Sequence, residues 1–430
     1  MCSWSWPKKR APRPRTAWGP DQTKVGILLS QQANRSLGTD ARVSGILKGL
    51  ESLGVDVTVF APGEAAGDLT SARFVPLATG ERFNLAERVA RQLMATPAIG
   101  NAIFWSPATV RRQVSALAKA LTSINPDVDV LQGEQQLASM AAIEAGRELG
   151  LPVVADLHGM WSEELRAYRS TKPGGRADRN IRTLESAIVQ GADHVVVVSP
   201  EMREYLLSNL SADPSKVSVV RNGSFPQIAI APTHTTPRRI VFAGMLSPLQ
   251  NIGLLIKAAS IVRREIPDVE VHLTGRGELT DSVKRQCRKA GVPARFFWFE
   301  DPTRLLQFLA SCDVGLLPVN ADPGRRLIHP TKLYAYMSVG LPVVTNRSAS
   351  WSDLVEQEEI GIVTDSTPTG FATGILELLR DPGRIQRCGE RALTLLRTKY
   401  AYTRELETFV AIYSKLGGGR LRPPPITGMG

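Results

Sequence analysis

The sequence predicts an α/β protein built from two doubly wound, Rossmann-like domains. Short apolar strands alternate with helical stretches along most of the chain, and that rhythm stops once, in a Pro- and Thr-rich segment, before it restarts. Strands joined through helices run parallel, so each sheet is covered on both faces and its ligands gather at the strand C-termini. A length of 430 residues also suits two domains better than one.

Lys24 to Ser30 is an apolar run, followed by a loop through Gly38, a helical stretch to Leu53 and a second apolar run from Val55 to Phe60. Val128 to Leu131 reads as a strand, Leu137 to Leu149 as a helix and Pro152 to Leu157 as the next strand. His194 to Val198 then leads into a helix near Glu201 to Leu210. Phe225 to Arg239 (FPQIAIAPTHTTPRR) carries no apolar period and reads as the interdomain connection. Residues 24–228 therefore form an N-terminal domain, 229–238 the linker and 239–400 a C-terminal domain.

In the second domain the expected strands are Arg239 to Ala243, Glu270 to Thr274, Ala294 to Phe299, Val314 to Pro318, Val343 to Asn346 and Gly361 to Val363. Helices are expected over Gly253 to Arg264, Phe371 to Leu379 and roughly Arg384 to Leu416, with 401–416 packing back on the N-terminal domain. In HPTKLYAYMSVGLPVVTN, Thr331 is the candidate N-cap, Lys332 to Val339 a helix, and Gly340 its stop. The positive end of such a helix suits a phosphate. Residues 1–23 and 417–430, rich in Pro, Gly and basic residues, read as disordered tails.

A net charge of +11 raises nucleic-acid binding, and its distribution argues against it. Lys8, Lys9, Arg10, Arg13, Arg15, Arg420 and Arg422 lie in the two tails, and without them about +4 is left for the body. Trp4 and Trp6 beside the basic cluster would suit peripheral contact with an anionic membrane; a solvated tail is the plainer reading. No apolar run reaches the length of a membrane span, and the N-terminus lacks a signal-peptide core, so a cytoplasmic protein, at most at the inner face of the plasma membrane, is expected. Cys2, Cys287, Cys312 and Cys388 are scattered without a CxxC pair, which argues against a zinc site or a disulfide framework.

The ordered segments PDVDVLQGEQQLASMAAIEAGRELGLPVVADLHG, GADHVVVVSPEMREYL, RIVFAGMLSPLQNIGLLIKA, LTGRGEL, FFWFEDPTRLLQFLASCDVGLLPV and HPTKLYAYMSVGLPVVTN together resemble family 4 glycosyltransferases, over about Lys24 to Leu416. The resemblance implies the GT-B fold, with the two domains facing each other across a cleft. It also implies transfer of a sugar, with retention, from a nucleotide diphosphate donor to a glycan or lipid-linked acceptor, as in bacterial surface polysaccharide or glycolipid assembly. No metal or cofactor is implied, because positioning and charge stabilisation on the leaving diphosphate carry such a reaction. The Asp127-Val128-Asp129 triplet sits at a strand entrance and reads as a cap.

Residue by residue, the resemblance puts His158, after the strand Val153 to Leu157, near the transferred sugar as the catalytic candidate. Trp161 falls near the acceptor, Gly38 and Gly244 in turns that approach phosphate, and Phe299 and Glu300 beside the nucleobase. The chain also departs from the pattern. Met245 and Gln250 stand where the family carries Arg and Lys, and Leu327 and Ala335 where it carries two glutamates. Arg276, Arg325, Arg326 and Lys332, with Thr331 at the helix start, are the replacement candidates for holding the diphosphate. The losses leave two rivals open: a non-catalytic glycosyltransferase-like subunit and, less favoured, a sugar-nucleotide epimerase.

Overall fold

The computed structural model describes residues 4, 6–10, 23–30, 37–63, 72–79, 107–167, 171–225, 238–299, 301–320, 323–347 and 350–418. The chain divides into two compact units, Met1–Arg221 with Thr403–Gly430, and Asn222–Tyr402.

The first unit is a seven-stranded parallel sheet in the order β3-β2-β1-β4-β5-β6-β7. Its strands are β1 (Lys24–Leu28), β2 (Asp56–Pro62), β3 (Arg73–Leu77), β4 (Val130–Glu134), β5 (Val153–Leu157), β6 (His194–Val197) and β7 (Val217–Val219). The connecting helices include α1 (Leu37–Ser52), α2 (Pro107–Ser123), α3 (Gln135–Leu149), α4 (Trp161–Ala167), α5 (Arg176–Gly191) and α6 (Pro200–Leu210). Every residue of β4 and β5 is buried, as expected of central strands covered on both faces. The order of strands reverses between β1 and β4, which makes the C-terminal ends there the natural ligand edge.

The second unit is a six-stranded parallel sheet, β10-β9-β8-β11-β12-β13. It comprises β8 (Arg239–Ala243), β9 (Glu270–Thr274), β10 (Ala294–Phe297), β11 (Val314–Leu317), β12 (Val343–Asn346) and β13 (Gly361–Thr364). Its helices are α7 (Ile252–Glu265), α8 (Thr280–Lys289), α9 (Pro302–Ala310), α10 (Thr331–Ser338), α11 (Trp351–Gln357), α12 (Pro368–Arg380) and α13 (Pro382–Arg397). Strand alternation divides the core between two faces. Ile240 and Phe242 pack with Leu255, Val271 and Phe371 on one side, and Val241 and Ala243 pack with Tyr336, Met337 and Trp351 on the other.

The closing helical stretch is two helices rather than one: α13 ends at Arg397 and α14 runs over Tyr402–Gly417. Phe409 and Tyr413 of α14 are fully buried, and Gly417 lies against Thr23 and Val130 of the first unit, so helix rather than tail reaches residue 417. The N-terminal tail also departs from the disordered expectation. Trp6 donates to the Ala187 carbonyl at 3.3 Å, Lys9 pairs with Asp193 at 2.8 Å, and the Arg10 amide donates to Arg147 O. Trp4 lies under the Arg111 guanidinium, 4.6 Å from ring centroid to carbon. The two indoles are thus engaged on the first unit's own surface. The rest of the tails (11–22 and 419–430) and linker positions 229–237 lie outside the described residues.

Asp127 and Asp129 take the capping role expected of them, binding the Lys24 ammonium at 2.6 Å and the Lys24 amide at 2.9 Å. The buried Tyr336 hydroxyl is a stronger constraint, since it accepts from the Ala243 amide at 2.8 Å and reaches Leu316 O at 3.3 Å, pinning α10 to β8 and β11. Tyr336→Phe leaves that amide buried without an acceptor. Denaturant unfolding of the variant should show a loss of about 1–3 kcal/mol, and an unchanged midpoint would show that the hydroxyl contributes nothing.

Candidate functional site

In the first unit the site is a buried chain of charges at the ends of β4 and β5. Glu134 and Asp156 are register partners on these strands, so their carboxylates meet. Arg42 of α1 grips Asp156 through Nε at 3.0 Å and Nη2 at 2.9 Å, and its Nη1 donates to Val220 O at 3.1 Å. His158 Nε2 lies 2.9 Å from Glu134 Oε2 and 3.2 Å from Asp156 Oδ2. Gln132, on the same face of β4 as Glu134, donates to Glu134 Oε1 at 2.6 Å, and Tyr413 of α14 donates to Gln132 Oε1.

Burial alone would raise the Asp156 carboxyl, but Arg42 and His158 overcome it and bring it down to about 2. Burial likewise opposes charge on His158, and Asp156 with Glu134 overcomes it, holding the imidazole protonated to higher pH than usual. Two carboxylates thus face a guanidinium and an imidazole. The three side chains Glu134, Asp156 and His158 lie close enough to be ligands for a metal ion, and both Asp156 oxygens already accept from the Arg42 guanidinium.

The backbone around His158 is built to the same end. Gln135 adopts φ 62°, a left-handed turn unusual for its type, and its side-chain oxygen faces the His158 amide at 3.4 Å. Gln136 donates to Gly159 O at 2.7 Å. His158 is therefore held where the sequence placed it, at the end of β5, but its Nε2 is engaged by carboxylates. Trp161 opens α4 half-buried, and Gly38 is the second residue of α1 rather than part of a turn before it.

In the second unit, Gly244 follows β8 with φ 144° and its amide donates to Thr274 O, while the Leu246 amide donates to Arg276 O. The turns after β8 and β9 are thus zipped together. Lys332, in the first turn of α10, crosses to this turn: its Nζ donates to Gln250 Oε1 at 3.0 Å and stands 4.3 Å over the Phe242 ring. A Cβ on Gly244 would lie 2.6 Å from that Nζ, and the glycine's φ of 144° is a conformation other residues rarely adopt. The structure brings together Gly244, Lys332 and the Arg276 turn.

Other candidates are placed differently. Arg276 is exposed and stacks 4.8 Å over Trp298. Phe299 turns away from Trp298 and packs 5.0 Å from Phe308 in a cluster with Phe297 and His272, so its ring is occupied by neighbouring rings. Thr331 is not the N-cap: extended Pro330 holds that position, with no side-chain bond to the helix amides, and Thr331 is the first helical residue. The Leu333 amide instead donates to the Pro330 carbonyl at 3.1 Å, closing the first turn of α10. Arg326 is exposed, with its carbonyl accepting from Ser350 at 3.0 Å, and Arg325 lies in the same short 3-10 turn. The Arg325 side chain and Glu300 lie outside the described residues.

Sequence reasoning missed Arg42, Gln132, Glu134, Asp156 and Tyr413. The signal was present in VLQGE and VVADL, where acids and an amide interrupt strands otherwise buried on both faces.

Two such doubly wound parallel sheets are also the architecture of the proteins this chain resembles. Residues 38–223 match the glycosyl transferase 4-like domain and residues 237–381 the glycosyl transferases group 1 family. The chain belongs to these GT-B glycosyltransferases and is a transferase enzyme. Among curated relatives, a glycogen synthase of Mycobacterium tuberculosis is 23% identical over 304 residues, covering 69% of this chain and 71% of that protein. Among solved structures, sucrose-phosphate synthase from Thermosynechococcus elongatus superposes with a TM-score of 0.70 at 15% identity, over 92% of this chain and 99% of that one. Anabaena HepE in complex with UDP-glucose gives 0.67 at 16% identity, over 92% and 100%.

The charge chain sets a pH signature. Asp156 is depressed, so its contribution is present above its ordinary 3.8 and lost as pH falls toward about 2. His158 is raised, so its contribution is whole below its ordinary 6.5 and lost as pH rises through the folded value. Thermal melts of wild type and His158→Gln across pH should converge as pH rises above 6.5, and a constant gap would contradict the pairing. Arg42→Met, which strands Asp156, should cost about 3–5 kcal/mol in denaturant unfolding.

Proposed function

We propose that this transferase moves a sugar from a nucleotide diphosphate donor to a glycan or lipid-linked acceptor, with retention, in bacterial-type surface polysaccharide or glycolipid assembly at the inner membrane face. Among the described residues no helix is long and apolar enough to cross a membrane, so contact with a lipid-linked acceptor falls to the protein's surface.

One observation carries the reading. The family's two cations are absent at Met245 and Gln250, yet an ammonium arrives at the same turn from α10, with Lys332 Nζ bonded to Gln250 itself. A diphosphate there would meet the Lys332 ammonium and the positive end of the α10 dipole. These groups stabilise the charge that grows on the leaving diphosphate, whose oxygen takes the acceptor's proton on the face of attack. Positioning does the rest. His158 is the sugar-side group that the resemblance assigns. Its Nε2 is bound to carboxylates, so a bond to a sugar hydroxyl falls to Nδ1.

HepE, solved with UDP-glucose, makes uridine diphosphate sugars the first donors to try. Lys332→Met should lower kcat/KM for the accepted donor roughly 10²- to 10³-fold while leaving the thermal melt close to wild type. Nucleotide release measured across a panel of nucleotide-sugars tests this. Equal rates in wild type and variant would remove Lys332 from the chemistry. Conversion of the nucleotide-sugar to its isomer with no acceptor present would instead identify an epimerase.

A further inference from the structure

We propose that Tyr413, on the helix that closes the chain, is a positioning residue for His158, acting through Gln132 and Glu134. The links are consecutive: the Tyr413 hydroxyl donates to Gln132 Oε1, Gln132 Nε2 donates to Glu134 Oε1 at 2.6 Å, and Glu134 Oε2 lies 2.9 Å from His158 Nε2.

The direction of the chain is determined by its ends. An ionised carboxylate only accepts, so the amide must present its NH2 to Glu134, and its carbonyl must then face a donor. Tyr413 supplies that donor. Burial, followed by the charges of Glu134 and Asp156, pushes its hydroxyl well above the usual phenol range, so it keeps its proton. Gln132, Glu134 and Tyr413 are all buried, which denies water the chance to replace a missing link.

Among the described residues, these side chains face His158 directly or through one link, beside Gln135 at its amide. Glu134 comes from β4, Asp156 from β5, Arg42 from α1 by way of Asp156, and Tyr413 from α14 by way of Gln132. The same helix is tied a second time to the strand end that Arg42 holds. Glu405 of α14 accepts from the Arg221 amide at 2.8 Å and pairs with its guanidinium at 2.9 Å, while Arg42 donates to Val220 O and Arg221 O. So α14 bears on the imidazole through both of its carboxylate partners.

Without the Tyr413 hydroxyl, the Gln132 carbonyl is buried and unpaired, the amide turns, and Glu134 loses the donor that fixes it against Nε2. His158 then keeps its hydrogen bond to Asp156 and loses a fixed ion-pair contact with Glu134. The proposal uses the sugar-side reading of His158 only for its consequence in transfer; the link itself can be read without substrate.

The experiment is an NMR titration of the full chain with labelled histidine, the His158 resonance being assigned by its loss in His158→Gln. In Tyr413→Phe, whose ring keeps its stack on Phe409 at 5.7 Å, the His158 midpoint should move down. Gln132→Leu, which cuts the same chain one link further in, should move it in the same direction. A His158 midpoint in Tyr413→Phe equal to wild type overturns the proposal, whatever happens to the melting temperature, since a packing role alone moves stability and not the midpoint. Donor turnover of Tyr413→Phe is measured in parallel. A lowered midpoint with unchanged turnover keeps the relay and removes His158 from the transfer step.

Discussion

A parallel sheet sends every strand out along one edge, and that constraint places all the chemistry of this protein. Residues distant in sequence become neighbours because their strands end side by side. Glu134 meets Asp156 because β4 and β5 are paired in register at those positions. The turns after β8 and β9 share hydrogen bonds for the same reason, and Gln250 makes a bridge with Val319 beyond β11. Since strands in the middle of such a sheet are buried on both faces, any polar side chain they carry must find a partner inside.

The two units meet that demand in different ways. In the first, an arginine and a histidine meet two carboxylates, and an amide and a phenol extend the chain to the final helix. In the second, Lys332 of α10 brings an ammonium to the turn after β8. Lys332 places its ammonium over the Phe242 ring and close to Gly244, whose φ of 144° favours glycine. The chemistry of binding a diphosphate asks for charge at a place in space, and the fold offers more than one position in sequence from which to deliver it.

Much of the fold was legible from the chain. The strands Arg239–Ala243, Glu270–Thr274 and Val343–Asn346 have the limits their apolar runs suggest, and Gly340 has the positive φ that a helix stop needs. The cap of α10 was not legible, because Pro330 in extended geometry took the position that Thr331 suits by type. The break at residues 398–401 was hidden by helical periodicity continuing on both sides. Trp4 and Trp6 looked like a free apolar tail because nothing local reveals that α5 offers the Ala187 carbonyl. Lys332 could be named as a cation, but its partner Gln250 stands 82 positions away, and only the folded sheet brings the two within 3.0 Å.

The central claim is that one lysine, delivered by α10, serves where two cations are usual. The most direct measurement is a crystal structure of the protein soaked with UDP. The account requires a phosphate oxygen within about 3 Å of Lys332 Nζ, with the first amides of α10 turned to the same group. A diphosphate bound through Arg276 or Arg326, with Lys332 still on Gln250 and remote from it, would contradict the account.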